Sequence, residues 1–300
     1  MAVASALAPC YENRMERSIL FAVVMMSFGM LLIPLGDSAG KLMSQHDVSP
    51  MFVTWTRYLI GLLILLPFSF NKNALRLLLN WRIWLRGLIQ VVTILSILTA
   101  LKTEPIANAY GAFFLGPMVS YVLSVWLLRE QGNLGRIILL AIGLGGVFLV
   151  VKPGFGMTPG LAFAALAGLC YGMFLTASRW VAPLGRPVHV LLSQLVVGTI
   201  LMTPFGLSNI PVLSLDITGL VLWSAIASMC GNLLLVLAYA RAGASVLAPF
   251  VYMQLIGATA YGWMFFGDWP DTIAGLGLVV IFLSGFATLF LRKRPMPQLL

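Results

Sequence analysis

The sequence predicts an all-α integral membrane protein of ten transmembrane helices, arranged as two inverted five-helix repeats. Three observations carry this. Hydrophobic residues make up 60% of the 300 and charged residues only 9%. A soluble domain carries roughly 25% charged residues, so most of this chain's outer surface must face lipid. Ten apolar segments, each near the ~20 residues that cross a bilayer, fall at 18–40, 50–69, 83–101, 106–128, 134–151, 159–179, 188–206, 217–239, 244–266 and 272–291. Finally, the basic residues are sorted by side. With a cytoplasmic N-terminus, fourteen of the 18 lysines and arginines lie at inner ends or loops, and three (Lys41, Lys102 and Lys152) at outer ones, leaving Arg57 within a segment. This asymmetry predicts ten helices in the cytoplasmic (inner) membrane with both termini cytoplasmic. The net charge of +9 is then a topology signal, and nucleic acid is not an expected partner.

The segments lack the period-2 alternation of an outer-membrane barrel. Residues 1–17 read as a cytoplasmic N-terminal segment, 18–151 and 159–291 as the two five-helix halves, and 292–300 as a basic cytoplasmic tail. The opening MAVASALAPC has no basic n-region and a short apolar run, so it does not read as a signal peptide; Met15 is a second candidate start. Five is odd, so duplicated halves must lie upside down relative to each other. The repeat shows in pattern. GLLILLP ends at Pro67 and GTILMTP at Pro204; ILTALK around Ala100 pairs with VLAYAR around Ala238. An acid follows each alanine at a helix end, Glu130 in LLRE and Asp268 in FFGD, and each precedes a Gly-rich segment.

These features together resemble the EamA-type ten-helix branch of the drug/metabolite transporter superfamily, over roughly residues 18–291. FVTWTRYLIGLLILLP resembles that family's second helix, and APFVYMQLIGATAYGWMFFGDWP its ninth, with Asp268 where the family usually has glutamate. The resemblance implies a central cavity lined by the first four helices of each half, with the fifth and tenth peripheral. It implies a secondary carrier of a small organic metabolite, an amino acid or related compound, with export the expected direction and riboflavin-like uptake the alternative. No cofactor is expected, and no G-x-x-x-x-G-K-[ST] loop is present to bind ATP.

A carrier needs polar groups at mid-membrane, small residues where helices slide, and breaks where they bend. Arg57 lies seven residues into its segment, roughly 10 Å from the outer end, where an unpaired arginine costs about 2.5 to 3.5 kcal/mol. Three readings are open: a cavity or gate group, a structural pair with Asp37, or a side chain snorkelling to the interface beside Trp55 and Tyr58. Asp37 and Lys41 share a helical face and are candidates for coupling or gating, with protons as the candidate coupling ion. The uncharged candidates for the cavity are Gln90, Asn108, Tyr110, Tyr171, Gln194, Asn232, Tyr252 and Gln254, joined by Ser96, Thr99 and Thr176; any one of these can instead bond a neighbouring helix. Amides and hydroxyls with one arginine suit a neutral or zwitterionic solute. Pro34, Pro117 and Pro249 are candidate hinges. Gly36-x-x-x-Gly40 and Gly168-x-x-x-Gly172 are candidate close-contact seams. Trp84, Trp126, Trp223 and Trp263 read as interfacial belt residues or as stacking groups for an aromatic substrate.

Cys10, Cys170 and Cys230 are dispersed and His46 and His189 isolated, so no metal site is expected. The nine acids are scattered too, which argues against a membrane-embedded enzyme. A non-transporting receptor or scaffold would need no polar set on both halves, and a channel would need rings of charge.

Overall fold

Every regular element among the described residues is a helix. The structure, a computed structural model, describes residues 2–69, 72–127, 129, 134–152, 157–241 and 247–287. In chain order the helices are α1 (Ala2–Gln45), α2 (Pro50–Ser69), α3 (Lys72–Leu77), α4 (Trp81–Leu101), α5 (Ile106–Phe113), α6 (Leu115–Leu127), α7 (Leu134–Val151), α8 (Pro159–Val181), α9 (Pro187–Leu207), α10 (Leu215–Tyr239), α11 (Met253–Phe266) and α12 (Thr272–Ala287). Among the described residues, eight stretches are long and apolar enough to cross a membrane: Ile19–Gln45, α2, α4, Ile106–Leu127, α7, Pro159–Leu184, α9 and α10. The expected ninth segment is a 3-10 turn, Ala248–Tyr252, followed by the 14-residue α11, and the tenth is the 16-residue α12. Glu130 and the basic tail 292–300 lie outside the described residues.

Local chemistry sets the ends. Asn80 caps α4 by accepting from the Arg82 amide at 3.0 Å, Thr158 caps α8 from Leu161, and Ser214 caps α10 from Ile217. The first membrane helix runs past the expected Gly40 to Gln45, because Lys41 finds buried partners and Ser44 Oγ donates to the Gly40 carbonyl at 3.1 Å. Gly267, at φ +68°, closes α11 in the left-handed conformation that favours glycine; its amide donates to Trp263 O and the Asp268 amide to Gly262 O. This turn presents Asp268 to Lys41.

The fourth segment is interrupted at Phe114. Pro117 has no N–H to offer the Phe113 carbonyl four residues back, and Phe114 (φ −69°, ψ 4°) separates α5 from α6. The ninth segment changes from 3-10 to α after Tyr252. Phe114 and Tyr252 stand 138 residues apart, the separation that also relates Ala100 to Ala238. Their rings stack with centroids 4.9 Å apart, so the two interruptions meet. Pro34, by contrast, sits inside an unbroken α1, where Ser38 Oγ donates to its carbonyl at 2.9 Å.

The packing partners survive exchange of the halves. α1 packs on α10 as α8 packs on α4; α1 meets α11 as α8 meets α5 and α6; α2 with α9 and α7 with α12 are self-related pairs. Small residues form the seams. A Cβ on Gly36 would meet Ser228 Oγ at 2.6 Å, and one on Gly172 would meet the Gly116 carbonyl at 2.6 Å. Between α7 and α12, a Cβ on Gly277 would stand 2.6 Å from the Gly146 carbonyl, a backbone atom that cannot swing aside. Gly277→Ala is therefore expected to cost about 1 to 3 kcal/mol, read as a lower Tm in detergent. Gly275→Ala, on the same helix with nothing within 4 Å, should leave Tm unchanged or slightly raised. Outward faces carry bare apolar side chains such as Phe28, Leu63, Trp126, Ile142 and Phe148, as lipid contact requires.

Candidate transport cavity

One end of the bundle, the end predicted to be outside, is tied shut by charge. Lys41 Nζ stands 2.9 Å from Asp268 Oδ2, donates to the Glu104 carbonyl at 2.8 Å, and lies 4.7 Å from the centre of the Phe266 ring. Glu104 is itself buried and accepts from Thr158 Oγ1. Lys152 pairs with Asp271 at 2.7 Å. Asp271 also caps α12, accepting from the Ile273 and Ala274 amides, each at 3.0 Å. The Lys152 hydrogen bond, then the Ala274 amide, hold its carboxyl below the usual carboxylate range. Its stabilisation is therefore complete above the unfolded value of about 4 and fades as pH falls through the lowered folded value. Asp271 is half exposed, so Asp271→Ala should cost about 0.5 to 1 kcal/mol at neutral pH. In Tm measured against pH, the gap between variant and wild type should close in acid.

Below this plug lies a buried ion pair. Arg57 is 7% exposed, and Gly40 leaves room beside its guanidinium. Its Nη1 donates to Asp37 Oδ1 at 2.5 Å, Nη2 to the Gly36 carbonyl at 2.8 Å and Nε to Ser224 Oγ at 2.7 Å. Tyr110 Oη completes the carboxylate, donating to Asp37 Oδ2 at 2.6 Å. A side chain so held does not snorkel. Lys41, one turn from Asp37, turns instead to Asp268.

Two connected chambers follow. The deep one, about 110 Å³, is lined by Asp37, Arg57, Tyr58, Gln90, Thr93, Tyr110, Tyr171, Gln194, Ser228, Asn232 and Gln254, among others. The wide one, about 420 Å³, shares Tyr171, Phe174, Gln194 and Asn232 with it and reaches Arg136, Arg179, Ala182, Gly185 and Pro187 at the predicted inner end. In the deep chamber, Tyr58 Oη, Gln90 Oε1, Ser228 Oγ and Gln254 Oε1 have no hydrogen-bond partner among the described residues. Buried polar atoms in that state cost about 1 to 3 kcal/mol each and are suited to a polar solute.

Of the residues singled out from sequence, Arg57, Asp37, Gln90, Tyr110, Tyr171, Gln194, Asn232 and Gln254 line the deep chamber, and Tyr252 and Pro117 the wide one. Asn108 lines neither. It is two residues from Tyr110, which places it on the opposite side of α5. Ser96, Thr99 and Thr176 also lie off the cavity; Thr176 bonds the Gly172 carbonyl within its own helix. None of Trp84, Trp126, Trp223 and Trp263 lines either chamber, and Trp126 and Trp263 are 75% and 61% exposed. Pro249 belongs to the 3-10 turn ahead of α11, its side chain outside the described residues. The fifth segment is less peripheral than expected, since Arg136 and Leu140 of α7 reach the wide chamber. Sequence reasoning missed Tyr58, Thr93, Ser228 and Arg86. The signal for Arg86 was present: Arg86, Gln90, Thr93 and Ile97 follow i, i+4, i+7, i+11 and so form one stripe of α4.

A helical membrane protein with a polar cavity tied shut at one end is the architecture of a transporter. The EamA-like transporter family model matches residues 16–152 and 158–290, and the chain belongs to that family; it is a multi-pass transporter, not an enzyme. An S-adenosylmethionine uptake transporter of Rickettsia bellii (strain RML369-C) is 22% identical over 277 residues, covering 89% of this chain and 94% of the relative. A pseudopaline exporter CntI of Pseudomonas aeruginosa (strain UCBPP-PA14) is 25% identical over 203 residues, 65% of this chain and 71% of the relative. A solved crystal structure shares the fold at TM-score 0.65 and 18% identity, covering 89% of this chain and 95% of its own.

Proposed function

We propose that this chain is an alternating-access carrier for an amino-acid-derived metabolite, built as two inverted five-helix halves in the cytoplasmic membrane. The observation that carries this reading is the cavity itself. Unpartnered amide and hydroxyl groups on α2, α4, α10 and α11 converge on one chamber, which is tied shut toward one end and continues toward the other. A scaffold has no use for such costly groups. The exchange-symmetric packing and the stacked interruptions at Phe114 and Tyr252 support two halves that rock about a shared axis. The continuation toward the basic end supports loading from the cytoplasm, the direction of export. Relatives named for S-adenosylmethionine uptake and pseudopaline export support small organic cargo.

The test is uptake by purified protein in liposomes, with labelled S-adenosylmethionine, amino acids and riboflavin, with and without a pH gradient. Saturable accumulation of one class is the expected result, and an Asp37→Asn variant that still carries the solute but no longer responds to the gradient would assign the proton to that carboxylate. No saturable movement of any class in either direction would overturn the reading.

A further inference from the structure

Arg86 is placed for a partner that none of the described residues supplies. It sits in the second turn of α4, only 7% exposed. Its Nε donates to Ser178 Oγ at 2.9 Å, and its guanidinium lies 4.5 Å from the centre of the Phe174 ring. These two α8 residues fix the plane of the group. Its Nη1 is buried and has no hydrogen-bond partner among the described residues, and Arg86 lines the wide chamber. The contrast with Arg57 is direct. Arg57 is neutralised by Asp37, whereas none of the described residues lining the wide chamber is Asp or Glu. A buried guanidinium without a counter-charge is expensive, and its planar fork matches an oxyanion.

Resting on the carrier reading above, we propose that Arg86 binds the anionic group, carboxylate or phosphate, of the transported molecule. Gln90 follows Arg86 by one helical turn, and Gln194 and Asn232 border both chambers. The anion then sits in the wide chamber while the polar body of the molecule reaches the unpartnered amides beyond. The sequence alone favoured a neutral or zwitterionic solute; this geometry requires that at least one end be anionic.

The experiment is ligand-induced stabilisation of the purified protein in detergent, using matched probes at millimolar concentration. S-adenosylmethionine against its decarboxylated form tests a carboxylate; adenosine monophosphate against adenosine tests a phosphate. In at least one pair the anionic member should raise Tm and its partner should not. Arg86→Gln should weaken that anion roughly tenfold or more while leaving the unliganded Tm equal or higher. Arg86→Lys should retain part of the affinity, since it keeps the charge without the fork, and it serves as the folded variant if the glutamine variant fails to fold. Equal shifts within each pair, an anion affinity unchanged in Arg86→Gln, or no shift from either anion would overturn the proposal. Saturable liposome uptake indifferent to the anionic group would overturn it while leaving the carrier standing; loss of all saturable uptake would remove the carrier reading itself.

Discussion

Arg57→Ala is expected to destabilise the protein by about 3 to 5 kcal/mol, because among the described residues it leaves the charged, buried Asp37 with Tyr110 as its remaining side-chain donor. Asp37→Asn should cost a similar amount, since it strands the guanidinium. The pair is not thereby a large source of stability. Desolvating two charges offsets most of their attraction, so the double variant Arg57→Met with Asp37→Leu should recover most of the loss. Transport should behave otherwise. Both groups line the deep chamber, so the double variant should fold and fail to carry. Tm in detergent and liposome uptake on all three variants separate these outcomes. A double variant as unstable as the singles would mean that the network fixes the helices through Gly36 and Ser224 rather than through its charges.

Gln90→Leu combined with Gln254→Leu should lower uptake kcat/KM about 100-fold, on the basis of roughly tenfold for each hydrogen bond lost to the solute. The same change should leave Tm equal or raise it. Both amide oxygens are buried without partners among the described residues, and replacing an unsatisfied group by an apolar one of similar shape removes a desolvation penalty. Opposite signs for stability and activity distinguish a binding group from a structural one. A variant that both unfolds and loses uptake would place these amides among the helix-packing contacts instead.

The membrane helices were legible because hydropathy and basic-residue asymmetry are summed over many residues, and no single position decides them. The closeness of Asp37 and Arg57 was legible for a local reason: charges at matching depth on adjacent helices have few other ways to be satisfied. The partner of Lys41 was not. Its spacing from Asp37 pointed along its own helix, yet it reaches Asp268, 227 residues away, because the Gly267 turn carries that acid across from the other half. Asn108 was placed in the cavity by composition, where the helical period puts it on the other face. Arg86 was counted as a charge at the inner end of its segment, since its depth depends on α4 beginning at Trp81, two residues earlier than hydropathy placed it. Ser228 was invisible, because an isolated serine in an apolar run carries no signal until its neighbours are known.

The most direct test of alternating access uses the outer-end tie. Lys41→Cys and Asp268→Cys are introduced after Cys10, Cys170 and Cys230 are replaced, and the two thiols are joined by a short reducible bifunctional reagent. The linked protein, held shut at that end, should show no liposome uptake, and reduction should restore it to the rate of the unlinked variant. Uptake that continues undiminished while the link is intact would contradict a carrier that must open at the Lys41–Asp268 end to complete its cycle.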